Sequence, residues 1–437
     1  MSVEAGLVPA PPIRGRIASW TRILSAYFTA QTLTQLAGIA AGLLFVNFMP
    51  VREFALYTLA FSVISFFTFV SDLGSTTSLV YFFHRSQGEP EEMRRYIAAV
   101  LSLRRIAFAL GAAGIVAAFP RAALAKGFGL REALLTMAGL LLAVWFQVSS
   151  SVQVLALRLA DRYGRSYRAE MSGGGVRLAL AAVLVAAGAL RAWLGVLSAA
   201  LGAAAVALIA RPGRDAAPAA TAAAADLRPY RRQILRYLLP SLPSALYFSI
   251  QGPLTIWLAT TFGSTRNLAE VGALGRLGLV VGIFSNLTGV VFLPRLARVA
   301  DERLYRRRYL QFGALLLAVA AALTAVAALA PGLFLILLGG HYAGLRRELL
   351  LVVAGSGLTL LGGYAVSVNL ARSWNRWEGL AVVVLIAVQA GLVAVLPLGT
   401  TYGVLLFNLY TGATGLLLQL IITLGGFVQP RWVRWMT

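Results

Sequence analysis

Residues 193–226 read WLGVLSAALGAAAVALIARPGRDAAPAATAAAAD, and this stretch decides how the rest of the chain is organised. Its first part, 193–210, is an uncharged apolar run long enough to cross the hydrocarbon of a bilayer, which takes about 20 residues of helix. Its second part, 211–226, is polar and rich in alanine and proline, the composition of a flexible linker. Further apolar stretches of similar length flank it on both sides. They fall near 20–48, 54–84, 96–119, 131–157 and 170–190 before it, and near 235–260, 268–294, 308–330, 346–371, 378–397 and 402–425 after it. The linker thus divides twelve expected spans into six and six.

Composition agrees with an all-α, polytopic membrane protein of twelve transmembrane helices in two six-helix lobes. Apolar residues make up 59% of the 437, only 12% are charged, and mean hydropathy is +0.79. A soluble domain of this size could not cover its surface with so few charges. The expected organisation is an N-terminal cytoplasmic tail over 1–19, an N-lobe over 20–210, a cytoplasmic linker over 211–234, a C-lobe over 235–425 and a C-terminal cytoplasmic tail over 426–437. Residues 1–21 are polar and proline-containing and lack the core of a cleavable signal, so the first helix is expected to remain as an anchor. The two lobes echo each other weakly: Ala55-Leu56-Tyr57 falls where Gly272-Ala273-Leu274 falls half a chain later. An even split with faint repetition points to a transporter built from two parallel repeats.

The formal net charge is +22, carried by arginine and a single lysine, Lys126. In a soluble chain that balance would suggest nucleic acid. Here the arginines gather in the loops between spans, so they read as a topology signal and as contacts to anionic lipid, with no nucleic-acid partner. With the N-terminus inside, the cytoplasmic loops hold about three times as many basic residues as the outer ones, and both termini are cytoplasmic. Cysteine is absent, which removes thiol and disulfide chemistry.

Several function classes are disfavoured. The outer loops are short, and the aspartates are scattered with no Asp-x-Asp pair, which argues against a membrane polymerase or glycosyltransferase. The one lysine precedes Gly127 rather than Ser or Thr, so no phosphate loop is present. The run Gly173-Gly174-Gly175 lacks the rest of a nucleotide fingerprint and reads as close helix packing. His84 and His341 fall at opposite faces, so no metal is expected, and nothing in the chain calls for a cofactor. The chain is not expected to be an enzyme.

Polar residues inside the spans are the functional candidates, because a charge facing lipid at mid-membrane costs at least about 2.5 kcal/mol. Arg104 and Arg105 lie inside the third span, Arg177 inside the fifth and Arg276 inside the eighth. Lining a cavity and snorkelling to the headgroups are the competing readings for each. Asp72, near the inner end of the second span, is expected to form a structural ion pair or gate with Arg104 or Arg105. Gly74 just beyond it marks a site for a kink. The first span carries a polar stripe of Tyr27, Gln31, Gln35, Gly38 and Gly42, flanked by Thr34. The seventh carries Ser241, Ser244, Phe248, Gln251 and Thr255, and three prolines that force it to bend. These spans are equivalent in a six-plus-six repeat, so both stripes are expected to line one cavity, with polar glue between helices as the alternative. The expected substrate site is therefore Arg276, Arg177, Arg104, Arg105, Gln31, Gln35, Ser244 and Gln251. Basic and amide-rich with little acid, it suits an anion, and the guanidinium fork suits phosphate.

The segment Val51-Arg52-Glu53-Phe54-Ala55-Leu56-Tyr57, followed by Ser71-Asp72-Leu73-Gly74, resembles the second-helix pattern of the bacterial polysaccharide flippases. These belong to the multidrug/oligosaccharidyl-lipid/polysaccharide exporter superfamily. Val271-Gly272 with Arg276, then Pro294-Arg295-Leu296, is similar to their eighth helix. Pro331 and then Leu338-Gly339-Gly340-His341-Tyr342 is similar to their outer loop before the tenth. The order and spacing of these motifs cover nearly the whole chain. Two departures stand out: Ala55 replaces a frequent glycine, and Gln251-Gly252-Pro253 occupies a place where an aspartate often stands, leaving no acid there for ion coupling.

The resemblance implies a flippase that carries an oligosaccharide on polyprenyl pyrophosphate across the bacterial inner membrane, for lipopolysaccharide or exopolysaccharide synthesis, by alternating access of two lobes. It implies a lipid-linked oligosaccharide and membrane lipids as partners, with other polysaccharide-assembly proteins and H⁺ or Na⁺ as further candidates. A cation-coupled multidrug exporter of the same fold and a membrane-embedded polysaccharide polymerase or ligase are the alternatives.

Overall fold

The computed structural model describes residues 32–86, 89–211, 227–239, 242–282, 284–285, 288, 292–297, 299, 301–372, 374 and 376–428. Tyr27, Gln31, most of the linker and both tails lie outside them. Among the described residues every regular element is helical, and nine helices are long and apolar enough to cross a membrane. Lipid offers backbone groups no hydrogen-bond partners, and a helix satisfies them within its own segment.

The N-terminal half comprises α1 (Thr32–Phe48), α2 (Val51–Asp72), α3 (Ser75–Arg85), α4 (Pro90–Ala125), α5 (Leu130–Leu159), α6 (Tyr163–Ala186) and α7 (Ala192–Ala210). A connecting helix α8 (Arg228–Leu238) follows. The C-terminal half comprises α9 (Leu242–Phe262), α10 (Thr265–Gly282), α11 (Leu293–Ala297), α12 (Glu302–Leu329), α13 (Pro331–Leu335), α14 (Arg346–Ala371), α15 (Glu378–Val395) and α16 (Thr401–Val428).

Local chemistry explains the boundaries. Helix α4 opens on Pro90 with Glu91 and Glu92 in its first turn, which suits the positive helix end. Asp301 caps α12 by accepting from the Leu304 N–H at 2.9 Å. Glu53 accepts from the first N–H of α7, Ala192, at 2.7 Å and from Arg191 at 3.1 Å. The second span breaks into α2 and α3 at Leu73 and Gly74, both at positive φ (35° and 84°), where glycine carries the turn without a Cβ clash.

Within each half the helices pack tightly. Helices α6 and α7 meet backbone to backbone: a Cβ on Gly173 would lie 3.0 Å from the Gly202 carbonyl oxygen, and one on Gly202 would lie 2.8 Å from that of Gly173. Gly173 is thus a close-packing residue. Helix α2 is the exception to the division. It packs on α9 and α10 of the other half, where a Cβ on Gly272 would fall 2.4 Å from Thr58.

The halves share one apolar core at one end only. It runs through Phe45, Phe54, Phe119, Leu268, Leu338 and Tyr342, drawn from both sides. Loops of the two halves bond across the same end: Asn47 donates to the Leu337 carbonyl at 2.5 Å, Lys126 to that of Gly263 at 2.5 Å, and Thr265 to that of Lys126 at 3.1 Å. Burial beside Glu270 pushes the Tyr342 phenol above its ordinary range, so it stays neutral in this seam. At the opposite end the described residues of the two halves fall into separate clusters. One cluster joins Phe292, Tyr305, Tyr309 and Tyr364, another joins Leu79, Phe82, Met93 and Tyr96. The sealed end carries the arginine-poor loops and the unsealed end the arginine-rich ones.

Helix α8 gives the end of the linker a fixed place. It docks on the N-terminal half: Ile234 and Leu238 are buried with α3 and α4, Tyr237 stacks on Tyr81 at 4.7 Å, and Arg231 donates to Ser102 at 2.7 Å. Helix α8 ends at Leu238 and α9 begins at Leu242.

Candidate functional site: paired arginines between the halves

Arg276 projects from α10 and Arg177 from α6, and they converge on one aromatic platform of α2. The guanidinium carbon of Arg177 lies 4.7 Å from the Phe61 ring centroid, and that of Arg276 lies 5.0 Å from the same ring. Arg276 also lies over Tyr57 at 5.6 Å, and Arg177 donates to the Tyr57 hydroxyl at 3.1 Å. Residues 57 and 61 are one helical turn apart and share a face. Gly42 of α1 leaves room for the Arg276 stem, since a Cβ there would sit 3.3 Å from its Cδ.

The electrostatics of this cluster are unbalanced. Arg104 pairs with Asp72, Arg158 with Glu170 at 2.6 Å and Arg191 with Glu53 at 3.1 Å. Among the described residues neither Arg177 nor Arg276 pairs with a carboxylate, and the Arg177 Nε is buried with no hydrogen-bond partner. Cation–π contact returns about 0.5–2 kcal/mol per arginine. Holding an unpaired charge away from water costs several kcal/mol. Both side chains are half-buried and Arg177 lines an open cavity, so water there meets part of that cost; what remains is a pair of forks on one ring with no carboxylate among the described residues, which suits a phosphate or pyrophosphate.

Two cavities open beside it. One of about 600 Å³ lies in the N-terminal half and is lined by Thr34, Gly38, Phe61, Gln147, Glu170 and Arg177. The other, about 710 Å³, lies in the C-terminal half and is lined by Tyr247, Gln251, Gly275, Asn408, Thr411 and Gln419. Helix α10 stands between the arginine cluster and the second cavity.

The other expected site residues fall elsewhere. Arg104 belongs to a different structure: its Nε donates to Ser75 at 2.8 Å, its Nη1 to Ser151 at 2.5 Å and the Val148 carbonyl at 3.2 Å, and its Nη2 to Asp72 and to Thr76 at 3.0 Å. With its donors engaged it is a buried staple joining α3, α4 and α5, and it lines neither cavity. Arg105 is exposed beside the exposed Ile106 and also lines neither cavity, because one residue along a helix turns the side chain by about 100°. Gln35 is half-buried on α1. Ser244 falls within α9, with its side chain outside the described set, as Gln31 is entirely. Gln251 lines the C-terminal cavity and exchanges hydrogen bonds with Gln389 of α15 at 2.7 and 3.4 Å.

Sequence reasoning passed over Phe61, Gln389 and Gln419. The two glutamines carry a readable signal, as amides in the eleventh and twelfth spans. Phe61 carries none, because an aromatic residue in an apolar span is ordinary.

No family model matches the chain, and no curated protein matches it in sequence. Solved structures match its fold along almost its whole length. An inward-facing multidrug resistance MATE family transporter of the MOP superfamily superposes with a TM-score of 0.62 at 18% identity, covering 90% of this chain and 95% of that one. The lipid II flippase MurJ in an inward closed conformation gives 0.68 at 11% identity, covering 92% and 89%. A MOP superfamily transporter from Pyrococcus furiosus, described as having a binding pocket of reversed polarity, gives 0.56 at 16%, covering 94% and 96%. The chain has the fold of the MOP superfamily transporters, a two-lobe bundle of twelve transmembrane helices. The structures it resembles are transporters and flippases, not enzymes.

Proposed function

We propose that the protein is a flippase for an oligosaccharide carried on polyprenyl pyrophosphate, moving it across the bacterial inner membrane for cell-surface polysaccharide synthesis. The observation that carries this reading is the pair of arginines on the Phe61 ring, one from each half, neither with a carboxylate partner among the described residues. A pyrophosphate held there would touch both lobes, so its binding would bear directly on their relative position. The lobes would be 20–210 and 235–425 with the linker between, rocking about the sealed end. The sealed end would face outward and the unsealed end the cytoplasm, which makes this an inward-open state ready to load. Membrane lipids surround the bundle, and other polysaccharide-assembly proteins and a coupling H⁺ or Na⁺ are further partners of the reading.

The deciding experiment is transport in liposomes of purified protein, with a lipid-linked oligosaccharide as one substrate and a cationic dye as the other. Protection of the glycan from an external glycosidase should change with time only when the protein is present, and the dye should not move. Dye transport without glycan transport would replace this reading with the multidrug exporter. Growth of the glycan chain during the assay would replace it with a polymerase.

The orientation has its own test, made simple by the absence of cysteine. Single cysteines at Ser2, Ala219 and Thr437 should resist an impermeant thiol reagent in intact cells, and one at Ala125 should react. Reaction at Ala219 from outside would invert the topology.

A further inference from the structure

The two cavities differ in kind. Arg158, Glu170 and Arg177 line the N-terminal one. No charged side chain lines the C-terminal one among the described residues, and its polar groups include Gln251, Thr255, Ser356, Thr359, Asn408 and Gln419. An amide offers donors and an acceptor together, and a hydroxyl does the same. A cation site asks for carboxylates and an anion site for arginine. Amides and hydroxyls without charge match a neutral polyol, whose hydroxyls also donate and accept.

Further features fit that ligand class. The amides are held in orientation rather than loose: Gln251 and Gln389 bond reciprocally, and Gln419 is fixed by Asn369 at 2.9 Å and by Glu378 at 3.1 and 3.2 Å. Gly252, Gly275 and Gly363 line the cavity with open space where a Cβ would be, so bare helix surface faces it. The volume, about 710 Å³, lies in the range of small-molecule sites.

Position ties the cavity to the arginines. Helix α10 turns Arg276 toward Tyr57 and Phe61 and turns the adjacent Gly275 into the C-terminal cavity. The two sites therefore occupy adjoining faces of one helix.

We infer that the C-terminal cavity is a glycan subsite, taking the uncharged, hydroxyl-rich sugars of a ligand whose phosphates sit at Arg177 and Arg276. This rests on the flippase reading and adds to it a division of labour: one half reads charge, the other reads sugar. The test uses the full chain in nanodiscs and two probes, undecaprenyl pyrophosphate alone and the same lipid bearing a neutral trisaccharide. The wild type should prefer the trisaccharide probe by about tenfold or more in Kd. Gly363→Leu, which fills the cavity, should bring the ratio of the two Kd values close to one. So should the paired change Gln251→Leu with Gln389→Leu, which removes both partners of the amide bond so that neither is left unsatisfied. Arg177→Ala with Arg276→Ala should weaken both probes together. No preference in the wild type, or a preference that survives both cavity variants, overturns the glycan subsite and leaves the arginine site standing. A bare probe that fails to bind the wild type, or binds the arginine variant equally well, overturns the flippase reading instead.

Discussion

If the protein is the proposed flippase, replacing Arg276 by alanine should abolish export of the lipid-linked glycan while leaving protein level and membrane insertion intact. The change removes one of two forks on the Phe61 ring and leaves Arg177 to hold a dianion alone. Truncating one side of a buried charge contact costs about 2–5 kcal/mol, and 3 kcal/mol is already about a hundredfold in affinity. Folding should be spared, because Arg276 pairs with no carboxylate among the described residues and its removal relieves repulsion from Arg177. Arg276→Lys should restore part of the activity and no more, since an ammonium is a point charge and cannot make a bidentate contact. Gly42→Val should fall between the two, because added branching presses on the Arg276 stem at 3.3 Å. Export is measured in cells and in liposomes against equal amounts of protein. Full export by Arg276→Ala would remove the residue from the substrate site.

Asp72→Asn acts by the opposite route and should lower stability by about 3 kcal/mol, the lower end of the range for breaking a buried pair. Arg104 is 2% exposed and Asp72 39%, so the aspartate keeps some hydration and the arginine almost none. Losing the carboxylate leaves a guanidinium among Ser75, Thr76, Ser151 and the Val148 carbonyl, groups that accept hydrogen bonds but supply no negative charge. Unfolding in detergent should shift to lower denaturant, and expression should drop. Asp72→Asn combined with Arg104→Gln should recover a good part of the loss, because the buried charge goes with its partner. Strict additivity in this cycle would show that the two residues are not coupled.

Helix content and the number of spans are legible in the sequence because lipid leaves the backbone so few choices. The break at Leu73–Gly74 is legible for a similar reason, since glycine inside a long span marks where it can turn. Rotation about a helix axis is less so. Arg104 and Arg105 read alike as adjacent charges, and only packing decides that Arg104 turns inward to Asp72 and Arg105 outward. The convergence of Arg177 and Arg276 is further from view. They come from opposite halves and meet only because α2 crosses to pack on α9 and α10. Their depth in the spans is readable, but the ring that gathers them is not. The polar stripes of the first and seventh spans drew attention from Gln389, which sits singly in an otherwise apolar helix, and from Gln419, which closes a stripe with Asn408, Thr411 and Gly415 on the last span.

Lys126 is the chain's single lysine, and its ammonium spans the sealed end to the Gly263 carbonyl. The protein therefore carries one side-chain amine, placed where the halves must part if they rock apart at that end. An acylating reagent would find one side-chain amine, told apart from the terminal α-amine by peptide mass, whose reactivity rises as the seam separates and falls as it closes. Nature has supplied a built-in chemical clock for the conformational cycle, readable by mass on the unaltered chain without engineered labels. Acylation would also delete the charge that holds the contact, so the same reagent that times the opening would bias the protein toward staying open.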